Sequence, residues 1–386
     1  MRVLFAVPPF VGHINPTLGL AAALEARGHS VAWVGHATAV APRINGRTIF
    51  PLPEVADGDA LDALFRRAQE ARGLEIVRSR FEDIFFPLAR AMRPGIEAAV
   101  EAFVPDVLVV DHQVFGGALA ARRTGVRWAT LATTSVPLLD PFGPYPKVKA
   151  WLDEQHTGLQ REVGLERADD PELSPDLVIV TSVPELAGPS SPIGPRYAWC
   201  GPITGGRGPV DPFPWERLSN DRPRVLVSLG TVNAELGGPF FSAVRELPPD
   251  AHQRVVVGPA EVVGELQAPS FRVDRAPQLE LLREIQAVVC HGGHNTVAEA
   301  LAARVPVVVA PMKDDQPLVA QQVVNAGVGV RVHSGRRATA AALGEALRRV
   351  LTEPGFRERV EAVGAALEAG GGGETAARRV EALAGS

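Results

Sequence analysis

The chain has 386 residues, of which 46% are hydrophobic and 22% charged, and a formal net charge of −5. This length predicts two domains of ordinary size rather than one core, and the composition is that of a soluble globular protein. The mildly acidic balance speaks against nucleic-acid binding. The two cysteines, Cys200 and Cys290, indicate neither a disulfide framework nor a metal cluster. The opening MRVLFAVPPF lacks the layout of a signal peptide. No apolar run reaches the roughly 20 residues needed to span a bilayer. A cytoplasmic location is therefore expected.

In chain order, Val3 to Val7 is apolar without alternation, which predicts a buried parallel strand. The loop Pro8 to Pro16 follows, with Asn15 placed to cap a helix that has Pro16 at its first position. That helix runs to about Arg27, Gly28 stops it, and Val31 to Gly35 is a second strand. The opening is Rossmann-like, but only Gly12 lies in the turn, so the dinucleotide fingerprint G-x-G-x-x-G is missing. His13 lies at the C-terminal tip of the first strand, where open α/β sheets place their sites. From position alone, a loop histidine is usually structural or merely exposed.

Residues 57–101 read as helices carrying Phe65, Phe81, Phe85, Phe86 and Leu88. Asp57-Gly58-Asp59 has the form of a D-x-D metal motif, but no apolar strand leads into it and an acidic turn is the simpler reading. Pro105 to Asp111 is another buried strand; Asp111 ends it on the same sheet edge as His13. An Asp there can also cap the next helix, and the neighbouring His112 is a further possibility. Val126 to Ala132 is a strand, followed by Thr133-Thr134-Ser135 and the Pro-rich stretch from Pro137 to Pro146. Phe10, Phe85, Phe142 and Tyr145, with Trp151, are candidates for an apolar pocket or for ordinary loop packing. Leu177 to Ser182 reads as a strand near the end of the first domain.

From Cys200 to Pro223 Gly and Pro dominate, which marks a linker. A second α/β series starts at Arg224, with strands at Val225 to Leu229, Arg254 to Val257, Phe271 to Val273, Ala287 to Cys290, Val305 to Ala310 and Gly329 to Val332. Within it, VVCHGGHNTVAEALAARVPVVVAPMKDDQP is a strand-turn-helix-strand unit followed by a polar loop. Gly292 and Gly293 stand at a helix N-terminus, where unpaired N–H groups and the positive dipole end favour an anion. Asn295 and Thr296 can cap that helix, predicted from about Asn295 to Ala303, or donate to the same anion. His291 can add a donor, and a positive charge when protonated.

This string resembles the donor-binding signature of the nucleotide-sugar-dependent glycosyltransferases of the GT-B, family 1 type. Plant members carry a stretch ending H-C-G-W-N-S, then E, then D-Q. His291, Gly292, Gly293, His294, Asn295, Thr296, Glu299, Asp315 and Gln316 fall at corresponding places. Ser228-Leu229-Gly230-Thr231 is similar to the S-x-G-T turn that contacts the donor diphosphate. Arg275-Ala276-Pro277-Gln278 matches the W-A-P-Q box that holds the base, with Arg275 in place of the stacking Trp. A guanidinium can also stack on a ring. The interval from Gln278 to His291 is two residues shorter than in the plant pattern. Gly12-His13-Ile14-Asn15-Pro16 resembles the loop that carries the family's general base.

The resemblance implies two Rossmann-like α/β domains facing each other across a cleft: 1–200 for the acceptor, a linker at 201–223, and 224–386 for the donor. In this fold type the last helix often crosses back to the first domain. It implies an inverting transfer from a UDP- or dTDP-linked sugar to a nucleophile, most simply a hydroxyl, of a small apolar natural product. His13 would be the base and Asp111 would orient it. Ser228, Thr231, His291, Gly293, Asn295 and Thr296 would hold the diphosphate. Arg275, Ala276, Gln278 and Glu299 would hold the base and ribose, and Asp315 and Gln316 the sugar. No metal or other cofactor is implied, and the expected state is a monomer or homodimer. A sugar-nucleotide epimerase, or a non-catalytic sugar-nucleotide-binding partner, would use the same scaffold. The missing fingerprint argues against a nicotinamide dehydrogenase.

Overall fold

The structure is a computed structural model, and it describes residues 1–53, 74–166, 172–208, 212–230 and 237–385. It divides into two compact units. One comprises Met1–Thr181, Pro192–Gly208 and Gly371–Ser386, the other Ser182–Ser191 and Pro209–Gly370.

The first unit is built on strands β1 (Arg2–Ala6), β2 (Ser30–His36), β3 (Thr48–Leu52), β4 (Val107–Asp111), β5 (Trp128–Ala132), β6 (Val178–Val180) and β7 (Tyr197–Trp199). All pairings are parallel, in the order β3-β2-β1-β4-β5-β6-β7. Its main helices are α1 (Val11–Ala26), α2 (Phe86–Phe103), α3 (Phe115–Thr124) and α4 (Pro146–Glu162). Every residue of β4 and β5 is buried, because helices cover both faces of a parallel sheet. That is why these strands read as unbroken apolar runs.

The second unit carries β8 (Arg224–Ser228), β9 (Gln253–Val257), β10 (Phe271–Val273), β11 (Ala287–Cys290), β12 (Val307–Val309) and β13 (Gly329–Arg331). They form a parallel sheet in the order β10-β9-β8-β11-β12-β13. Its main helices are α5 (Gly238–Arg245), α6 (His294–Ala302), α7 (Gln316–Ala326), α8 (Ala340–Thr352) and α9 (Pro354–Ala369). The chain ends in α10 (Gly372–Gly385), which belongs to the first unit.

Three points depart from the sequence reading. The first helix begins at Val11 with Phe10 as its N-cap, so Asn15 caps nothing and Pro16 is inside the helix. Pro16 has no N–H, so the helical bond from residue 16 back to residue 12 is not made. β3 and β7 add two strands to those expected from the sequence; β3 contains Pro51, β7 has three residues, and both are sheet edges, where such strands are tolerated. The division at 200 and 223 also shifts. Ser182–Ser191 joins the second unit through the helix Pro184–Ala187, whose Ala187 carbonyl accepts from Gln322 Nε2 at 3.4 Å. Residues 371–386 join the first because Ala376, Ala377, Val380 and Leu383 are buried with Leu20, Ala21 and Leu24 of α1.

Candidate active site

In the first sheet the strand order reverses between β1 and β4. The connections leave those two strands toward opposite sides, which opens a crevice at their C-terminal ends. His13 is the third residue of α1, directly after β1, and Asp111 is the last residue of β4. The fold thus joins two residues 98 positions apart: His13 Nδ1 lies 2.9 and 3.0 Å from the two Asp111 oxygens. The Gln113 N–H donates to Asp111 Oδ1 at 2.9 Å. Asp111 does not cap α3, whose N-cap is Val114 without a side-chain bond. Thr133, just beyond β5, brings its Oγ1 to 3.1 Å from the same His13 nitrogen. The His112 ring lies 5.4 Å from that of His13, centroid to centroid.

Asp111 is 1% exposed, whereas the His13 side chain retains 18%. Burial by itself would raise the Asp111 carboxyl. The imidazoles of His13 and His112, the bond from His13 and the Gln113 N–H outweigh it and hold the group below its ordinary value. An ionised carboxylate only accepts, so the proton of a neutral His13 belongs on Nδ1 and Nε2 keeps the lone pair. For His112, burial is the leading cause and pushes its pKa down, against the pull of Asp111.

The aromatic candidates do not gather at one place. The Phe10 ring stands edge-on to His13 at 5.8 Å. Phe85 and Phe142 lie 5.4 and 6.2 Å from Phe81, in an apolar cluster with Phe86, Phe115 and Trp151. Tyr145 is 51% exposed.

In the second sheet the order reverses between β8 and β11. Ser228 ends β8 and pairs with Cys290, so the turns after both strands are side by side. A Cβ on Gly230 would come within 2.8 Å of the His291 ring, and one on Gly293 within 2.5 Å of His291 Nε2. Gly292 has φ +88, and a Cβ there would lie 2.7 Å from Val309 Cγ1 and 3.3 Å from the Gln316 carbonyl oxygen. The glycines are therefore set by close packing around the His291 ring as well as by the turn.

The helix that follows starts one residue earlier than the sequence indicated. Gly293 is its N-cap, with no side-chain cap bond, so Asn295 and Thr296 are its second and third residues. Four N–H groups at this end lack an intrahelical acceptor. His291 contributes no positive charge at neutral pH. Burial drives its pKa down to about 4, against the Ser228 backbone and Asp314. Its buried Nδ1 has no hydrogen-bond partner among the described residues.

Gln278 Nε2 donates to Glu299 Oε2 at 2.6 Å, which ties the 275–278 segment to α6. Arg275 is exposed and Ala276 half-buried. Asp315 is the N-cap residue of α7 and Gln316 its first residue. Gln316 Oε1 accepts from the N–H groups of Met312 and Lys313 at 2.9 and 3.0 Å. Its oxygen is engaged inside the loop. Thr231 and the Asp57-Gly58-Asp59 and Phe65 positions lie outside the described residues. Thr133 was overlooked in the sequence, since nothing marks one hydroxyl among Thr133-Thr134-Ser135 until β4 and β5 are seen to be neighbours.

Comparison with known proteins agrees with this fold. Residues 255–383 match the family described as erythromycin biosynthesis protein CIII-like, C-terminal domain. The chain is 30% identical to 4'-demethylrebeccamycin synthase of Lentzea aerocolonigenes over 392 residues, covering 92% of this chain and 93% of the relative. Among solved structures it is similar to the calicheamicin glycosyltransferase CalG4, with a TM-score of 0.78, 25% identity and coverage of 100% of this chain and 98% of the other. The glycosyltransferase VinC in complex with DTDP shares the fold, with a TM-score of 0.75, 22% identity and full coverage of both chains. Two Rossmann-like units and a relative matched along nearly its whole length agree on one assignment: the chain belongs to the family 1, GT-B-fold glycosyltransferases of the bacterial natural-product type.

Proposed function

We propose that the protein transfers a sugar from a UDP- or dTDP-linked donor to a hydroxyl of a small apolar natural product, with inversion and without a metal ion. The observation that carries this reading is the His13–Asp111 pair at the strand-order reversal of the first unit. Nε2 of His13 takes the proton of the acceptor hydroxyl as its oxygen attacks the anomeric carbon. Asp111 holds the tautomer and stabilises the imidazolium that forms. The bond from the anomeric carbon to the diphosphate oxygen breaks, and the growing negative charge falls on the second unit. There the N-terminus of α6, with Ser228, His291, Asn295 and Thr296, stabilises it. Thr231 is assigned to the same diphosphate. A neutral His291 serves as a donor through an N–H, and an anion beside it would draw its pKa back up.

Gln278 and Glu299, joined by their hydrogen bond, would meet the nucleoside, Arg275 stacking on the base beside the Ala276 backbone and Glu299 accepting from ribose hydroxyls. Asp315 would accept from sugar hydroxyls and the Gln316 NH₂ would donate to them. Phe10 adjoins the base and would line the acceptor side.

Thermal unfolding in EDTA with UDP or dTDP tests the donor half. A nucleotide at about 100 times its Kd should add roughly 2.7 kcal/mol of stability, and His291→Ala should lose that shift. No shift from either nucleotide would overturn the diphosphate site. A product of retained anomeric configuration would overturn the one-step displacement.

A further inference from the structure

Four residues bring potential ligand atoms close together beside the base. His13 Nδ1 is 2.9 Å from Asp111 Oδ2 and 3.1 Å from Thr133 Oγ1. His112 Nδ1 is 3.5 Å from the same hydroxyl and 3.8 Å from Asp111 Oδ1. The ligand atoms of His13, Asp111 and His112 all lie within 4.8 Å of one another. A tetrahedral ion with bonds of about 2.0–2.1 Å holds its ligand atoms about 3.3 Å apart, and the four contacts bracket that spacing. Three of the residues are closed off, with Asp111 1%, His112 6% and Thr133 5% exposed. His13 provides the way in, since 18% of its side chain is open. Two imidazoles, one carboxylate and a hydroxyl form a borderline nitrogen-oxygen set, suited to zinc and its neighbours rather than to magnesium or calcium.

We infer that His13, Asp111, His112 and Thr133 form a binding site for a late first-row divalent ion such as zinc, and that occupation of this site switches the enzyme off. The inhibition rests on the reading of His13 as base; the metal site itself does not. Without metal, the neutral His13 ring carries its proton on Nδ1 and its lone pair on Nε2. A metal bound at Nδ1 needs a lone pair on that nitrogen, so the ring takes its other tautomer, with its single proton on Nε2. No net proton or electron is gained or lost, yet Nε2 can no longer accept from an acceptor hydroxyl. Asp111 becomes a metal ligand and ceases to orient the base. The donor residues belong to the other unit, so nucleotide binding should be unaffected.

The test is a cobalt(II) titration of the purified, EDTA-treated protein. One equivalent should produce the intense visible absorption of four-coordinate cobalt, zinc should bleach it, and His112→Asn should lose it. In the wild-type protein, zinc should move the imidazole ¹⁵N signals of His13 and His112 and leave that of the exposed His333 in place. Only the weak absorption of six-coordinate cobalt, or movement of His333 alone, would overturn the site. Stoichiometric zinc should lower turnover by at least ~10²-fold, the contribution expected of a general base, with the nucleotide thermal shift unchanged and EDTA restoring activity. Metal bound with turnover intact would leave the site standing and overturn both the inhibition and the role of His13.

Discussion

At the residue scale the decisive unit is one imidazole on one carboxylate. Asp111 is buried yet held below its ordinary pKa, because burial is outweighed by the two neighbouring imidazoles and two hydrogen bonds. With His13 proposed as the base, His13→Ala should cost turnover about 10²–10⁴-fold, and Asp111→Asn should cost a comparable factor by releasing the tautomer. Both variants should keep the nucleotide thermal shift; a loss of that shift would mean the residues act on the fold and not on the proton. Two other histidines contribute to acid stability. Burial pushes His291 down to about 4, and burial followed by Arg254 pushes His252 down to about 4, from 6.5. Unfolded, both take up a proton near 6.5; folded, both resist it. Their contribution is complete above pH 6.5 and is lost as the pH falls toward 4. Urea midpoints measured across that range should decline, and His252→Asn should flatten the decline. A slope unchanged by that substitution would contradict the assignment.

At the element scale the turn after β11 is a tightly constrained piece of backbone. Gly292 sits at φ +88 with Val309 against the position of its missing Cβ. Gly292→Ala should destabilise the protein by roughly 1–3 kcal/mol from backbone strain alone, measured by urea unfolding. A smaller change would show that the turn relaxes. The strand interiors were legible because parallel strands covered on both faces need unbroken apolar runs, as in Val107–Asp111 and Ala287–Cys290. The ends of helices were less so. Gly12-His13-Ile14-Asn15-Pro16 reads as loop and cap, yet the helix starts at Val11, because packing of Ile14, Leu18 and Leu20 into the core outweighs the bond lost at Pro16.

At the scale of the whole molecule, the chain order and the order of packing differ. α10 is the last element, and its Val380 and Leu383 are buried with α1. Burying a Val or Leu side chain contributes about 1.5–3 kcal/mol, so deleting residues 371–386 should lower the stability of the first unit by several times the thermal energy. Calorimetry should show its transition moving down while that of the second unit, Ser182–Ser191 with Pro209–Gly370, holds its place. Two transitions left where they were would mean that α10 contributes little. Among the described residues no helix is long and apolar enough to cross a membrane.

The sequence by itself determined the class of the fold, the two α/β series and the motif after β11. Each is encoded locally, in apolar runs, glycine turns and a spacing shared with a known family. Tertiary structure alone decided which polar groups meet. Asp111 reaches His13 only because β4 inserts beside β1, and Thr133 joins them only because β5 lies beside β4. Gln278 finds Glu299 across 21 positions, and the Gln316 oxygen turns inward to its own loop. Burial likewise sets the charge of His291, since desolvation depends on what packs around the ring and not on its neighbours in sequence. Contacts between residues far apart in the chain follow strand order, and strand order is a property of the packed sheet rather than of any one segment.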